Sequence, residues 1–156
     1  MHRIQYSAFK FEYPKLSLRL ITEVEICDVL QSSERSKARA LWDTGVMLSA
    51  ITSEVAQTLN LVPFNRAKAN GINNVSIADV VKVYIKLPNL AEVKNTNVTV
   101  CNLAKDVDLL IGMDIIQLGD FSISNVAGKT LFTFSMPPFE EKTDLYGKAL
   151  DKNKGN

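Results

Sequence analysis

One short run restricts this chain more than any other: Ala40-Leu41-Trp42 is apolar, and Asp43-Thr44-Gly45 follows it without a break. An apolar strand that ends in a carboxylate, a hydroxyl and a glycine sets an ionisable group at the rim of a buried layer, the setting for acid or base work. The sequence before it reads as strands. Residues 16–29 alternate apolar and polar side chains, the period-2 pattern of a half-buried strand. Residues 3–11 repeat the pattern less regularly, and residues 37–42 form a third strand that leads into Asp43.

After the run, Ile51, Val55 and Leu59 recur at helical spacing, with Thr52 or Ser53 as N-cap and Pro63 beyond the end, which predicts one short helix. Residues 64–87 read as a long hairpin. Its tip is expected at Gly71, Ile72, Asn73 and Asn74, because Gly and Asn tolerate positive φ. Residues 80–87 and 97–101 are β-rich, and residues 108–116 form a buried strand, a glycine break and a helical turn. Residues 121–124 and 130–134 alternate about a turn holding Gly128, a second hairpin. Pro137-Pro138 ends the regular structure in this reading. The chain therefore divides into one domain, residues 1–136, and a charged tail, residues 137–156, expected to be mobile or loosely docked.

Composition narrows the partners. The chain has 156 residues, enough for one ordinary core, and its 18 Lys plus Arg nearly balance 17 Asp plus Glu. Without a basic excess, nucleic acid is not expected as a partner. No window approaches the roughly 18 continuous apolar residues of a membrane span, so no membrane association is expected. Two cysteines, Cys27 and Cys101, are too few for a disulfide framework and read as buried reduced thiols, which implies a cytoplasmic location. His2, the only histidine, lies at the N-terminus, so Ser-His-Asp and Cys-His catalysis lack a base, and no zinc site or other metal or cofactor is expected. Ala127-Gly128-Lys129-Thr130 imitates the end of a phosphate-binding loop, but Ile123 stands where the first glycine would be and a strand follows, so it reads as a hairpin turn.

Two segments together, Leu41-Trp42-Asp43-Thr44-Gly45 and Leu109-Leu110-Ile111-Gly112-Met113-Asp114, give a resemblance that extends over residues 17–134. The chain resembles the retropepsin-like aspartic peptidases. That resemblance implies an all-β fold, a closed acid-protease barrel with one or two short helices and a flap hairpin, acting on polypeptide substrate without a cofactor. Such chemistry needs two facing carboxylates, and the chain has one Asp-Thr-Gly, so the second is expected from another copy in a homodimer. By the resemblance, Asp43 is the catalytic aspartate, Thr44 bonds across the two-fold axis, and Gly45 lets substrate backbone approach. Gly71, Ile72, Asn73 and Asn74 would form the flap over the substrate, and Asp108 and Leu110 would border substrate subsites.

The chain departs from many viral members in several places. Met47 and Met113 stand where those members carry an ion pair, Val46 is bulkier than the residue usual after the triplet, and the flap has one glycine where viral flaps have several. Met47, Met113 and Trp42 read as packing residues, and Asp114 reads as structural, near the positive end of a short helix. Val46 and the glycine-poor flap also support an alternative, a non-catalytic barrel that binds peptides or a partner. A third form is a latent monomer that awaits rearrangement of a terminal segment.

Overall fold

The computed structural model describes residues 4–30, 35–70 and 75–154. Six strands close a barrel: β2 (Leu20–Asp28), β3 (Ser36–Trp42), β4 (Ala50–Ile51), β6 (Val75–Lys86), β7 (Glu92–Val100) and β8 (Leu109–Ile111). They run in the order β2-β3-β8-β4-β7-β6, and a β2–β6 pairing closes the ring, while β5 (Asn65–Asn70) hangs from β6 on the outside. Alternation decides the inner face. Leu20, Val24 and Ile26 of β2, Ala38, Ala40 and Trp42 of β3, and Val81, Val83 and Ile85 of β6 are all buried, whereas Glu23, Arg39 and Lys82 between them are exposed.

A second sheet, three-stranded, is formed by β1 (Ser7–Tyr13), β10 (Thr130–Met136) and β9 (Asp120–Ser124), in the order β1-β10-β9. Both its pairings are antiparallel, with Phe9 opposite Phe134 and Phe132 opposite Ile123. The sheet is held to the barrel by aromatic side chains around Trp42. The rings of Phe134 and Phe132 lie 4.9 and 5.2 Å from the Trp42 ring, centroid to centroid, and both phenylalanines are buried. Tilted and edge-on contacts of this kind stabilise by about 0.5–1.5 kcal/mol beyond the area they bury. The indole N–H, which would be costly to bury alone, donates to Thr22 Oγ1 at 2.9 Å.

Helix α1 (Ser53–Thr58) is capped by Thr52, whose hydroxyl accepts from Val55 N, and it sets Val55 and Leu59 against the core as their spacing predicts. The hairpin of residues 64–87 is present as β5 and β6, paired from Asn65 opposite Val80 to Asn70 opposite Val75. Its predicted tip, Gly71, Ile72, Asn73 and Asn74, lies outside the described residues. The turn at residues 126–128, with Ala127 and Gly128 at positive φ, joins β9 to β10 as a hairpin turn.

One expectation is corrected after Pro137-Pro138, where regular structure resumes as α3 (Leu145–Lys154). Leu145 and Ala149, like Tyr146 and Leu150, are one helical turn apart, Asp144 accepts from Gly147 N at the start, and Lys152 and Lys154 favour the C-terminal dipole end. The helix buries no residue, so local signals alone account for it. Among the described residues no helix is long and apolar enough to cross a membrane.

Candidate active site

The parallel pairing of β3 with β8 creates the site. Trp42 lies opposite Ile111, and the next backbone N–H, that of Asp43, donates to Ile111 O at 2.9 Å, so the ladder holds the residue immediately before the Thr-Gly turn. Val46 N closes the turn on Asp43 O at 3.3 Å. Gly45 N donates to Asp43 Oδ1 at 2.8 Å and orients the carboxylate. A Cβ at residue 45 would stand 3.2 Å from that oxygen, which explains the glycine. Among the described residues, Asp43 Oδ2 and the Thr44 hydroxyl have no hydrogen-bond partner. Asp43 is half-buried and Thr44 is exposed.

The second segment braces this turn from below. Met113 N donates to Val46 O at 2.8 Å and Asp114 N to Met47 O at 3.0 Å. A Cβ on Gly112 would lie 2.9 Å from both Val46 O and the Leu48 carbonyl carbon, so the two backbones can meet only over a glycine. Helix α2 (Met113–Ile116) starts here. Asp114 accepts from Ser49 N at 3.0–3.1 Å, from Ser49 Oγ at 2.7 Å and from Ile115 N at 3.0 Å. The same Ser49 hydroxyl accepts from Gly112 N at 3.0 Å.

Asp114 is thus structural, as the sequence suggests. The fully buried Ser49 is a residue that sequence reasoning missed. Its signal was a lone hydroxyl between Leu48 and Ala50 in an apolar stretch. Trp42 is core, as expected. Met47 is corrected: it is 79% exposed and does not pack inside this chain, because its part in the bracing is played by its backbone carbonyl, whereas Met113 is 37% exposed and largely covered.

An open depression of about 380 Å³ borders the turn, lined by Leu18, Leu41, Asp43, Thr44, Phe121 and Ile123 among others. Leu110 lies opposite Leu41 on the neighbouring strand, one residue before the carbonyl that holds Asp43. Asp108 is placed elsewhere. Its backbone N donates to Arg39 O, and its carboxylate accepts from Arg39 N at 2.7 Å. Arg39 precedes Asp43 by four strand residues, roughly 13 Å at about 3.3 Å each. The structure therefore gathers Asp43, Thr44, Gly45 and Leu110, and leaves Asp108 at the far end of the pair.

Nearby, Arg19 grips Asp106 with two bonds of 2.9 and 3.0 Å, which holds the Asp106 carboxyl below its ordinary range. Cys27 and Cys101 are unpaired, and burial pushes both thiols up. Among the described residues no group of three or more His, Cys, Asp or Glu is placed to hold a metal.

The family profile described as aspartyl protease matches residues 23–115, more than half of the chain and both braced segments. No curated protein matches the chain significantly. Among solved structures, a retropepsin-like aspartic protease from Rickettsia conorii matches 87% of this chain and 99% of its own, at 16% identity and a TM-score of 0.57. The EIAV protease complexed with the inhibitor HBY-793 matches 67% of this chain and 90% of its own, at 23% identity and a TM-score of 0.49. The retroviral protease-like domain of Ddi1 from Leishmania major matches 65% and 79%, at 14% identity and a TM-score of 0.42. The closed barrel described above is the fold shared with the Rickettsia structure.

Proposed function

This chain belongs to the aspartyl protease family, with a retropepsin-like fold, and on that premise we propose that it is an aspartic endopeptidase that works as a homodimer, one Asp43 from each copy. The observation that carries the proposal is the state of Asp43. One carboxylate oxygen is oriented by Gly45 N and the other has no partner among the described residues, at an exposed turn beside an open depression, in a chain with a single Asp-Thr-Gly.

In the dimer two such carboxylates face each other a few ångströms apart. They cannot both ionise cheaply, so the pair holds one shared proton. The ionised member takes a proton from water as that water attacks the peptide carbonyl, and the protonated member donates a hydrogen bond to the developing oxyanion. Thr44 braces the two turns across the axis, and Gly45 admits substrate backbone. Gly71, Ile72, Asn73 and Asn74 close over the substrate, Leu110 borders a side-chain subsite, and Asp108 lies one residue before the strand that carries Leu110. The two unpaired cysteines suit a reducing compartment such as the cytoplasm.

The test is cleavage of an unbiased peptide mixture from about pH 4 to 7, read by mass spectrometry, with Asp43→Asn as the control. Cuts made by the wild type and not by Asp43→Asn are the expected result. A dimer that binds peptides equally well in both forms and cuts none would replace the enzyme with the peptide-binding barrel.

A further inference from the structure

Helices α1 and α2 set Val55, Ile115 and Ile116 in the core, whereas α3 buries no residue. Its apolar side chains are ordered all the same. At about 100° per residue, Leu145, Tyr146, Ala149 and Leu150 fall within an arc of about 140°. Leu145 and Tyr146 are 72% and 74% exposed. Lysines stand on both borders of the arc: Lys148 and Lys152 on the Leu145 side, Lys154 on the Leu150 side. Asp151, the one acid of the helix, falls on the opposite side, 3.6 Å from Lys154.

The helix is tethered to the domain without being docked on it. Phe139 is fixed by its ring, 4.9 Å from that of Tyr6, and by its N–H, which donates to Asp120 at 2.7 Å. Beyond this anchor, residues 140–154 make no hydrogen bond or ion pair with the rest of the chain among the described residues. An open gap of about 500 Å³ borders the Tyr6–Phe139 pair and Lys148. The apolar arc therefore faces water, on a segment whose root alone is held.

We propose that α3 is a surface anchor for anionic lipid bilayers, with its apolar arc at the boundary of headgroups and acyl chains and its lysines among the phosphates. A helix of 10 residues is about 15 Å long, half the hydrocarbon core, so it lies in the plane of the surface and does not span. Lysines beside an apolar face suit that position, because their stems run along apolar surface while the ammonium groups reach outward to the lipid phosphates. Tyr146 suits the boundary as well, with an apolar ring and a polar tip.

The groove of a partner protein fits this helix less well. Such grooves take apolar anchors that continue to the seventh position. Seven residues after Leu145 stands Lys152, and seven after Tyr146 stands Asn153, so the apolar face ends within residues 145–150. A flat surface requires one shallow face and no more. The remaining acids of the tail, Glu140, Glu141 and Asp144, precede the helix, and Asp144 accepts from Gly147 N at its start. The charge on the helix itself is three lysines against Asp151.

The test is co-sedimentation of the full chain with vesicles of phosphatidylcholine alone, or of phosphatidylcholine and phosphatidylserine at about two to one. Each lysine near an anionic surface raises partition about fivefold, so the wild type should favour the mixed vesicles by about tenfold or more. Lys148→Glu with Lys152→Glu should abolish that preference. Leu145→Ser with Leu150→Ser keeps every charge and should still lower binding to the mixed vesicles by about tenfold. Both double variants should keep the wild-type denaturation midpoint, because α3 buries nothing. Tyr146→Trp should shift its emission to shorter wavelength on the mixed vesicles and not on the neutral ones. A wild type that ignores both vesicles overturns the proposal and assigns the face to a protein groove. Binding to the mixed vesicles that survives Leu145→Ser with Leu150→Ser also overturns it, since surface charge would then act without the helix. Cleavage is not a readout, so either result leaves the peptidase reading where it stands.

Discussion

Asp43 and Asp114 stand close together in the fold, each beside a glycine, and differ in what surrounds the carboxylate. Asp114 accepts from three donors, Ser49 N, Ser49 Oγ and Ile115 N, and so joins two backbone segments. Asp43 accepts from one, Gly45 N. A carboxylate engaged by three fixed donors is a structural clamp, whereas one oriented by a single donor keeps more of its acceptor sites for a water or a substrate. The second aspartate holds the turn that carries the first.

The widest separation of the two roles should come from Asp43→Asn. It keeps the oxygen that accepts from Gly45 N, so urea denaturation should shift by no more than about 0.5 kcal/mol, while peptide cleavage falls by about 10³-fold or more. Asp114→Ala should reverse the pattern. It removes the acceptor of a buried hydroxyl and of two backbone N–H groups, and denaturation should report a loss of about 3 kcal/mol, with activity recovering at low temperature where the fold is intact.

Gly112→Ala tests whether the clamp acts on Asp43 through the backbone. Its Cβ meets Val46 O and the Leu48 carbonyl carbon at 2.9 Å, so a cost of about 1–3 kcal/mol should be joined by a drop in activity, because the Asp43 turn must shift. Activity unchanged in a destabilised Gly112→Ala would break the link between the two segments. Ser49→Ala should cost about 1–2 kcal/mol in the same denaturation assay, less than loss of Asp114, which keeps Ile115 N when Ser49 is truncated.

The smallest effect belongs to a carboxylate outside the comparison. Arg19 lowers the Asp106 acid range in the folded state, so the stabilisation it brings is complete above the ordinary aspartate value near 3.8 and disappears as pH falls through the lowered one. Asp106→Asn should flatten that acid limb of the stability curve and leave cleavage near neutral pH unaltered.

Much of this was legible along the chain because it rests on local periodicity. Alternation marked β2 and β3, the Ile51, Val55 and Leu59 spacing with Thr52 marked α1, and the paired alternation about Gly128 marked the β9–β10 hairpin. The Asp-Thr-Gly at the end of an apolar strand marked the candidate site for the same reason, since the strand, its end and its turn are contiguous. Helix α3 is equally local, but Pro137-Pro138 masks it in the sequence, and its signals, Asp144 and the i, i+4 apolar pairs, lie beyond that break.

Other features depend on contacts between residues far apart in sequence. The β2–β6 pairing that closes the barrel, the whole-length pairing of β1 with β10, and the Ser49 clamp on Asp114 leave no mark in any short window. Asp108 shows the same limit: a carboxylate one residue before a buried strand could face a groove or a neighbouring backbone, and only the register of β8 on β3 gives it to Arg39. Sequence alone determined most of the strand segments and where the candidate carboxylate lies, because side-chain alternation and turn chemistry act within a few residues. Tertiary structure decided which carboxylate is clamped and which sheet edge is open, because both depend on what the rest of the chain places beside them.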